Sequence, residues 1–75
     1  MQWRDYITVD QNICHGKACF IGTRVPVTII LDNLAENVSP DEIMKSYPGI
    51  KKDYINAALA YAADLANERV LELKH

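Results

Sequence analysis

Cys14, His15 and Cys19 are the one group of side chains in this sequence whose types and proximity suit metal binding or nucleophilic chemistry. Thiolate and imidazole groups are the usual ligands of zinc, and a structural zinc site requires four of them. The second histidine is the distant His75, and the spacing of the three residues matches no standard zinc framework. Cysteines in a reducing compartment are more often small buried apolar side chains. We therefore expect no metal, no disulfide and no cofactor.

Motifs typical of enzymes are otherwise missing from the sequence. We find no nucleophile–base pair, no paired-carboxylate motif and no phosphate-binding glycine loop. The pairs Gly16-Lys17 and Gly22-Thr23 lack the spacing that such a loop requires. The sequence therefore predicts a protein that is not an enzyme and has no small-molecule substrate.

A second group of residues lies at a joint where an extended segment changes into a helix. Gly22 permits a tight exit from the apolar run Cys19–Ile21, and Pro26 suits the first helical position. Thr23 and Arg24 lie between them, where Thr23 can form local hydrogen bonds and Arg24 can pair with a carboxylate or a phosphate. Structural ion pairs are common, so we favour an intramolecular ion pair of Arg24 that fixes this joint. The alternative is that the joint contacts a partner.

Lys51, Lys52, Tyr54 and Asn56 form the third group, at the start of a predicted helix. In a helix-turn-helix, the start of the second helix contacts base edges while nearby basic groups contact phosphates. Asparagine pairs bidentately with adenine, and lysine contacts guanine or phosphate. These four residues are candidates for DNA binding, although similar helix pairs also occur purely as packing units.

Turn and helix signals predict the elements that position these groups. Strands are predicted at Tyr6–Val9 and Ala18–Ile21, where β-branched, aromatic and other apolar residues lie between turn residues. The first helix is predicted over about Pro26–Glu36. It ends at Asn37, because asparagine tolerates the left-handed conformation of a helix stop.

A capping box predicts the start of the second helix. Ser39 is the cap, Pro40 occupies the first helical position and Glu42 lies three residues after the cap. The turn at residues 47–49 ends this helix, and we expect its glycine to permit a sharp reversal. The third and longest helix begins near Lys52.

Together these elements predict a single domain over residues 1–75 of mainly α class. A β-rich segment with a short hairpin, residues 1–25, precedes a three-helix core, residues 26–70. This core is homeodomain-like and contains a helix-turn-helix. A chain of this length buries only about 60 % of its unfolded surface, so we also expect a homodimer.

The distribution of charge limits the classes of partner. The net charge is −2, which argues against strong non-specific binding to nucleic acid. Residues 1–24 hold three basic and two acidic residues, or +1, and residues 25–75 hold five basic and eight acidic residues, or −3. No apolar run approaches the roughly 20 residues of a membrane span, and the first residues show no export signal. We expect a cytoplasmic protein without a membrane partner.

Five segments of the sequence resemble those of a known family. They are His15–Lys17, Ile21–Val27, Ser39–Ile43, Tyr47–Ile50 and Ala57–Ala62. In this order they are similar to the bacterial family called domain of unknown function 433, and the similarity extends from about Ile7 to Ala62. Ala18 occupies a position where the family often has proline, and Asn37 one where it often has glycine.

The resemblance has implications for fold and function. It implies a homeodomain-like or winged-helix-like core preceded by strands. Several members of the family are regarded as VapB-type antitoxins. It therefore implies an antitoxin-like regulator that binds a PIN-like ribonuclease toxin and, through the helix near Lys51, double-stranded operator DNA. The acidic charge balance favours an alternative, a small homodimeric protein–protein interaction module with no DNA role. Such a module would bind its partner through the strands and Trp3.

Overall fold

The computed structural model describes the backbone of residues 1–73 and the side chains of residues 1–67. The elements are two antiparallel strands and three α-helices: β1 (Ile7–Val9), β2 (Ala18–Phe20), α1 (Val27–Ala35), α2 (Pro40–Ser46) and α3 (Lys52–Leu73). Short 3-10 turns at Trp3–Asp5 and Cys14–Gly16 precede and follow β1. The predicted fold class, mainly α with a short N-terminal hairpin, is confirmed. Among residues 1–73, no helix combines the length and apolar character needed to cross a bilayer.

The hairpin is held in place by the helices rather than by its own pairing. Its register sets Ile7 opposite Phe20, and both side chains are buried. An isolated two-stranded hairpin is at best marginally stable in water. Here the ring of Phe20 stacks on that of Tyr54 in α3, with centroids 5.6 Å apart and an angle of 19° between the planes. The hairpin is therefore anchored on α3.

One cluster of buried side chains connects the hairpin with all three helices. Its members are Ile7, Phe20, Val27, Ile30, Ile43, Ile50, Ile55, Ala57 and Ala58. Each large aliphatic or aromatic side chain in such a cluster contributes about 1.5–3 kcal/mol by leaving water. The part of α3 that contributes to the cluster ends at Ala58, because no side chain in residues 59–67 is fully buried.

The ends of α1 show one difference from the prediction and one agreement. Pro26 has a ψ of 145°, so it caps the helix in an extended conformation instead of being its first residue. The reason is non-local, because Pro26 forms a β-bridge with Cys19. At the other end Asn37 has a φ of 66°, which confirms the left-handed stop.

The start of α2 follows the capping prediction, but the turn after α2 does not need its glycine. The Ser39 hydroxyl accepts a hydrogen bond from the Glu42 N–H at 3.2 Å, and Pro40 is the first helical residue. Gly49 does not lie in the left-handed region. A Cβ on Gly49 would meet Thr23 Cγ2 at 3.9 Å, an ordinary van der Waals distance. The expected role of this glycine in a sharp reversal is therefore wrong.

The N-terminal 3-10 turn packs on the middle of α3. The indole N–H of Trp3 donates a hydrogen bond to Asp64 Oδ2 at 2.6 Å. The Trp3 ring also meets Tyr61 edge to face, with centroids 4.8 Å apart. The first residues of the chain are thus fixed to its longest helix.

Candidate functional site

The joint between β2 and α1 is a tight turn closed by a threonine side chain. The Thr23 hydroxyl donates to the Phe20 carbonyl at 2.8 Å and accepts from the Val25 N–H at 3.1 Å. The Phe20 N–H in turn donates to the Val25 carbonyl at 3.2 Å. Gly22 has a φ of 81°, a conformation that glycine adopts without steric cost. The structure therefore assigns Gly22 and Thr23 the local roles expected for them.

Arg24 lies exposed beside this turn and borders two cavities. One cavity, of about 390 Å³, is also lined by Lys17 and His15, and the other, of about 340 Å³, by Ile13 and the turn itself. No carboxylate lines either cavity. Among the side chains of residues 1–67, Arg24 is in no ion pair. The expected intramolecular pair is therefore not formed within this part of the chain.

The loop between the strands has an unusual backbone. Cys14 and His15 have φ angles of 52° and 57°, and Gly16 follows at 81°. A residue with a Cβ in the left-handed region costs about 1–2 kcal/mol. Two such residues in succession are thus a strained arrangement that the surrounding structure must maintain. Histidine is one of the residues that enter the left-handed region more readily, but no local preference favours a left-handed cysteine.

The two cysteines of the group Cys14, His15 and Cys19 have different environments. Both are free thiols, Cys14 partly exposed and Cys19 fully buried. Burial raises the pKa of the Cys19 thiol, and the neighbouring Cys14 raises it further. Within the described residues, no three potential ligands are grouped closely enough to hold a metal ion.

The DNA-binding candidates lie at the start of α3, after the five-residue connection formed by residues 47–51. Lys51, Lys52 and Asn56 are exposed there. Tyr54 is half-buried, and its ring packs between those of Phe20 and Tyr6, with both centroid distances 5.6 Å. The structure thus brings three of the four candidates to the surface and places the ring of Tyr54 in the core.

Tertiary structure brings together two segments that contain basic residues and no acidic ones. Residues 15–31 contain Lys17 and Arg24, and residues 43–52 contain Lys45, Lys51 and Lys52. All five side chains are exposed. The segments meet where Gly49 of the α2–α3 connection lies against Thr23 of the joint. We call these five residues the basic region. The charges counted over residues 1–24 and 25–75 did not reveal the basic region, because its two segments are distant in sequence and meet only in the folded chain.

The element order defines a small, mainly helical domain in which a short hairpin precedes three helices. The family model described as protein of unknown function (DUF433) matches residues 7–62, which is 56 of the 75 residues. The chain belongs to the DUF433 family.

A solved structure supports the same assignment. The crystal structure of a DUF433 member protein from Anabaena variabilis, at 2.00 Å resolution, is similar to this chain with a TM-score of 0.69 and 26 % sequence identity. The similarity covers 96 % of this chain and 71 % of that chain. The comparison with curated proteins gives no match.

Proposed function

We propose that this protein is an antitoxin-like regulator that binds operator DNA through the start of α3 and a PIN-like ribonuclease through a different surface. The observation that carries the DNA-binding part is the basic region beside the start of α3. It contains five of the eight basic residues of the chain. In DNA-binding proteins, contacts between basic side chains and phosphates provide most of the sequence-independent affinity.

The local charge matters more here than the net charge of −2. Salt screens interactions between exposed charges beyond about 10 Å at 0.1 M ionic strength. Two acidic residues lie next to members of the basic region. Asp53 directly follows Lys52, and Asp41 lies one helical turn before Lys45, so each offsets one positive charge. The region retains a positive excess, which favours moderate, salt-sensitive binding.

Asn56 is the proposed base-reading residue. It lies one helical turn after Lys52, so both side chains project from the same side of α3. The amide of asparagine can pair bidentately with adenine, while the lysine contacts an adjacent phosphate. We leave the ring of Tyr54 out of this surface because it is packed against Phe20 and Tyr6.

Fluorescence anisotropy tests the DNA proposal with duplexes from the region upstream of the protein's own gene. The test variant is Lys51→Gln with Lys52→Gln, and the matched control is Gln2→Glu with Asn67→Asp. Both lower the net charge by two, but Asn67 lies about 22 Å along α3 from Lys52. We expect the test variant to reduce the slope of log K against log salt by about 2 and the control to leave it unchanged. An unchanged slope in the test variant would remove α3 from the proposed interface.

The proposal of a protein partner starts from the part of α3 that follows the buried residues Ala57 and Ala58. Leu59 is 49 % exposed and shares a helical stripe with Ala62 and Ala66, where no other element covers them fully. An apolar stripe of this kind is typical of a surface that another chain covers. We propose that it forms the homodimer contact. Sedimentation equilibrium at micromolar concentration should give a dimer mass, and Leu59→Glu should give a monomer that remains folded.

The ribonuclease part is tested separately by purification of the tagged protein from its native lysate at endogenous level. A small PIN-like nuclease recovered in equal amount supports the antitoxin proposal, and its absence contradicts it.

The exposed stripe on α3 also favours the second candidate function, an interaction module without a DNA role. Flat anisotropy titrations at low salt together with a dimer mass would select this candidate.

A further inference from the structure

We propose that the larger cavity beside the joint is a binding site for a phosphoryl group. The cavity has a volume of about 390 Å³ and opens between the loop that connects the strands and the start of α1. Lys17, Arg24 and His15 line it together with the side-chain amides of Gln11 and Asn12. The site requires neither the α3 surface nor the ribonuclease partner proposed above.

The chemistry of the lining is that of a receptor for an oxyanion. The guanidinium of Arg24 offers a planar pair of N–H donors that matches two oxygens of a phosphate, and Lys17 adds a compact positive charge. His15 and the two amides add further N–H donors. No carboxylate lines the cavity. An anion that enters therefore meets donors and positive charge without a competing acidic group.

Both walls of the cavity are fixed by backbone hydrogen bonds. In the loop, the Gly16 N–H donates to the Ile13 carbonyl and the Lys17 N–H to the Cys14 carbonyl, both at 3.1 Å. On the opposite wall, the β-bridge to Cys19 holds Pro26. The donors are thus presented on a scaffold that is ordered before a ligand arrives, which lowers the entropic cost of binding.

The nearest acidic residue of the loop is directed to the backbone. The Asp10 carboxylate accepts a hydrogen bond from the Asn12 N–H at 2.8 Å, and Asp10 does not line the cavity. Asp10 thus stabilises the loop and does not compete with a ligand for Lys17 and Arg24.

The strain in this loop is the independent observation that points to a site. The left-handed Cys14 and His15 both line the cavity. Strained backbone of this kind persists only where the surrounding structure imposes it, and it is concentrated at ligand clamps and active sites. In the helical part, by contrast, the left-handed residue is an asparagine at a helix end. The two strained residues of this loop therefore both lie at the proposed site.

The volume indicates more than a bare inorganic ion. Ligand sites for small molecules begin at about 300 Å³, so the cavity accommodates a phosphoryl group with part of the attached molecule. Two sources supply this chemistry. One is a phosphodiester of duplex DNA, and the other is a free phosphorylated small molecule such as a mononucleotide.

An NMR titration of ¹⁵N-labelled full-length protein tests the site. Inorganic phosphate is added against chloride at constant ionic strength, and adenosine monophosphate is added in a second series. We expect saturable shifts of the backbone amides of residues 15–17 and 24. Lys17→Gln with Arg24→Gln should weaken binding at least tenfold, and the equally charged control Gln2→Glu with Asn67→Asp should bind as the parent does. All four side chains are exposed, so unchanged thermal midpoints confirm that the variants fold.

The two sources give different results. Binding of adenosine monophosphate at least ten times tighter than that of phosphate indicates a free phosphorylated ligand. A phosphodiester is indicated by two results together. Phosphate and adenosine monophosphate bind equally, and the slope of log K against log salt for DNA binding falls by about 2 in the Lys17 and Arg24 variant. Linear, non-saturating shifts that extend equally over residues 45–52 would overturn the proposal. Saturable binding of phosphate without any binding of DNA would refute the proposed DNA function and leave this site standing.

Discussion

The segment of residues 10–24 and the three helices follow different rules. In the helical part, the local sequence agrees with the structure, with a serine at the cap of α2 and an asparagine at the left-handed stop of α1. In residues 10–24, two residues with a Cβ adopt left-handed angles, and cationic side chains line cavities without carboxylates. Natural sequences are locally consistent except where function or strain overrides this. The contrast therefore separates helices whose ends follow local signals from a loop in which those signals are overridden.

The largest expected effect tests whether residues 10–24 and the three helices are held together by the packing of Phe20 on Tyr54. Phe20→Ala removes the ring that stacks on Tyr54 and should lower the free energy of unfolding by about 4 kcal/mol. Ile21→Ala at the next position, where the side chain is 46 % exposed, should cost less than about 1 kcal/mol. Urea denaturation followed by circular dichroism measures both. Equal losses would mean that the hairpin is not anchored through Phe20.

A smaller effect separates a glycine that the backbone requires from one that it does not. Gly22→Ala meets no atom within 4 Å but places a Cβ at a φ of 81°, so it should cost about 1–2 kcal/mol. Gly49→Ala should change the free energy of unfolding by less than about 0.5 kcal/mol, because its new Cβ makes only ordinary contacts. Thermal denaturation of the pair checks the difference. A greater loss for Gly49→Ala would assign the strain to the helical connection instead.

The smallest expected effect concerns pH and the buried thiol at the border of the two regions. Burial raises the pKa of Cys19 in the folded state. Below the thiol pKa of the unfolded chain, both states hold the proton and stability is unaffected. As pH rises above about 8.5, the unfolded state loses the proton first, so stability falls. Cys19→Ala should flatten this decline between pH 8 and 10. Cys14→Ala should flatten it less, because burial, the larger cause of the raised pKa, remains. The slopes of unfolding free energy against pH are compared. Identical slopes in all three proteins would contradict the assignment.

Local signals in the sequence were sufficient for the helix ends and insufficient for the site. Asn37 and Ser39 act through their immediate neighbours, so their roles could be predicted from residue type and spacing. Pro26 differs from its prediction because of a bridge to a strand, and Tyr54 because aromatic rings from the hairpin cover it. Helical spacing identifies which residues share a face but not which element covers that face.

The basic region and the cavity could not be predicted from the sequence, because both depend on tertiary structure. They depend on the contact of the joint with Gly49 and on the left-handed angle of His15. No pairwise spacing in the sequence encodes either feature.

The docking of Trp3 on α3 has a consequence for the order of folding. The hydrogen bond from Trp3 to Asp64 joins residues 61 positions apart, and Phe20 needs Tyr54 in the same helix. Contacts between distant positions slow folding, because a long loop must close before they form. During synthesis, the hairpin leaves the ribosome first, but the rings of Trp3 and Phe20 lack their aromatic partners Tyr61 and Tyr54 until α3 follows. The segment made earliest is therefore the last to reach its final state, and α1 with α2 can associate before it does.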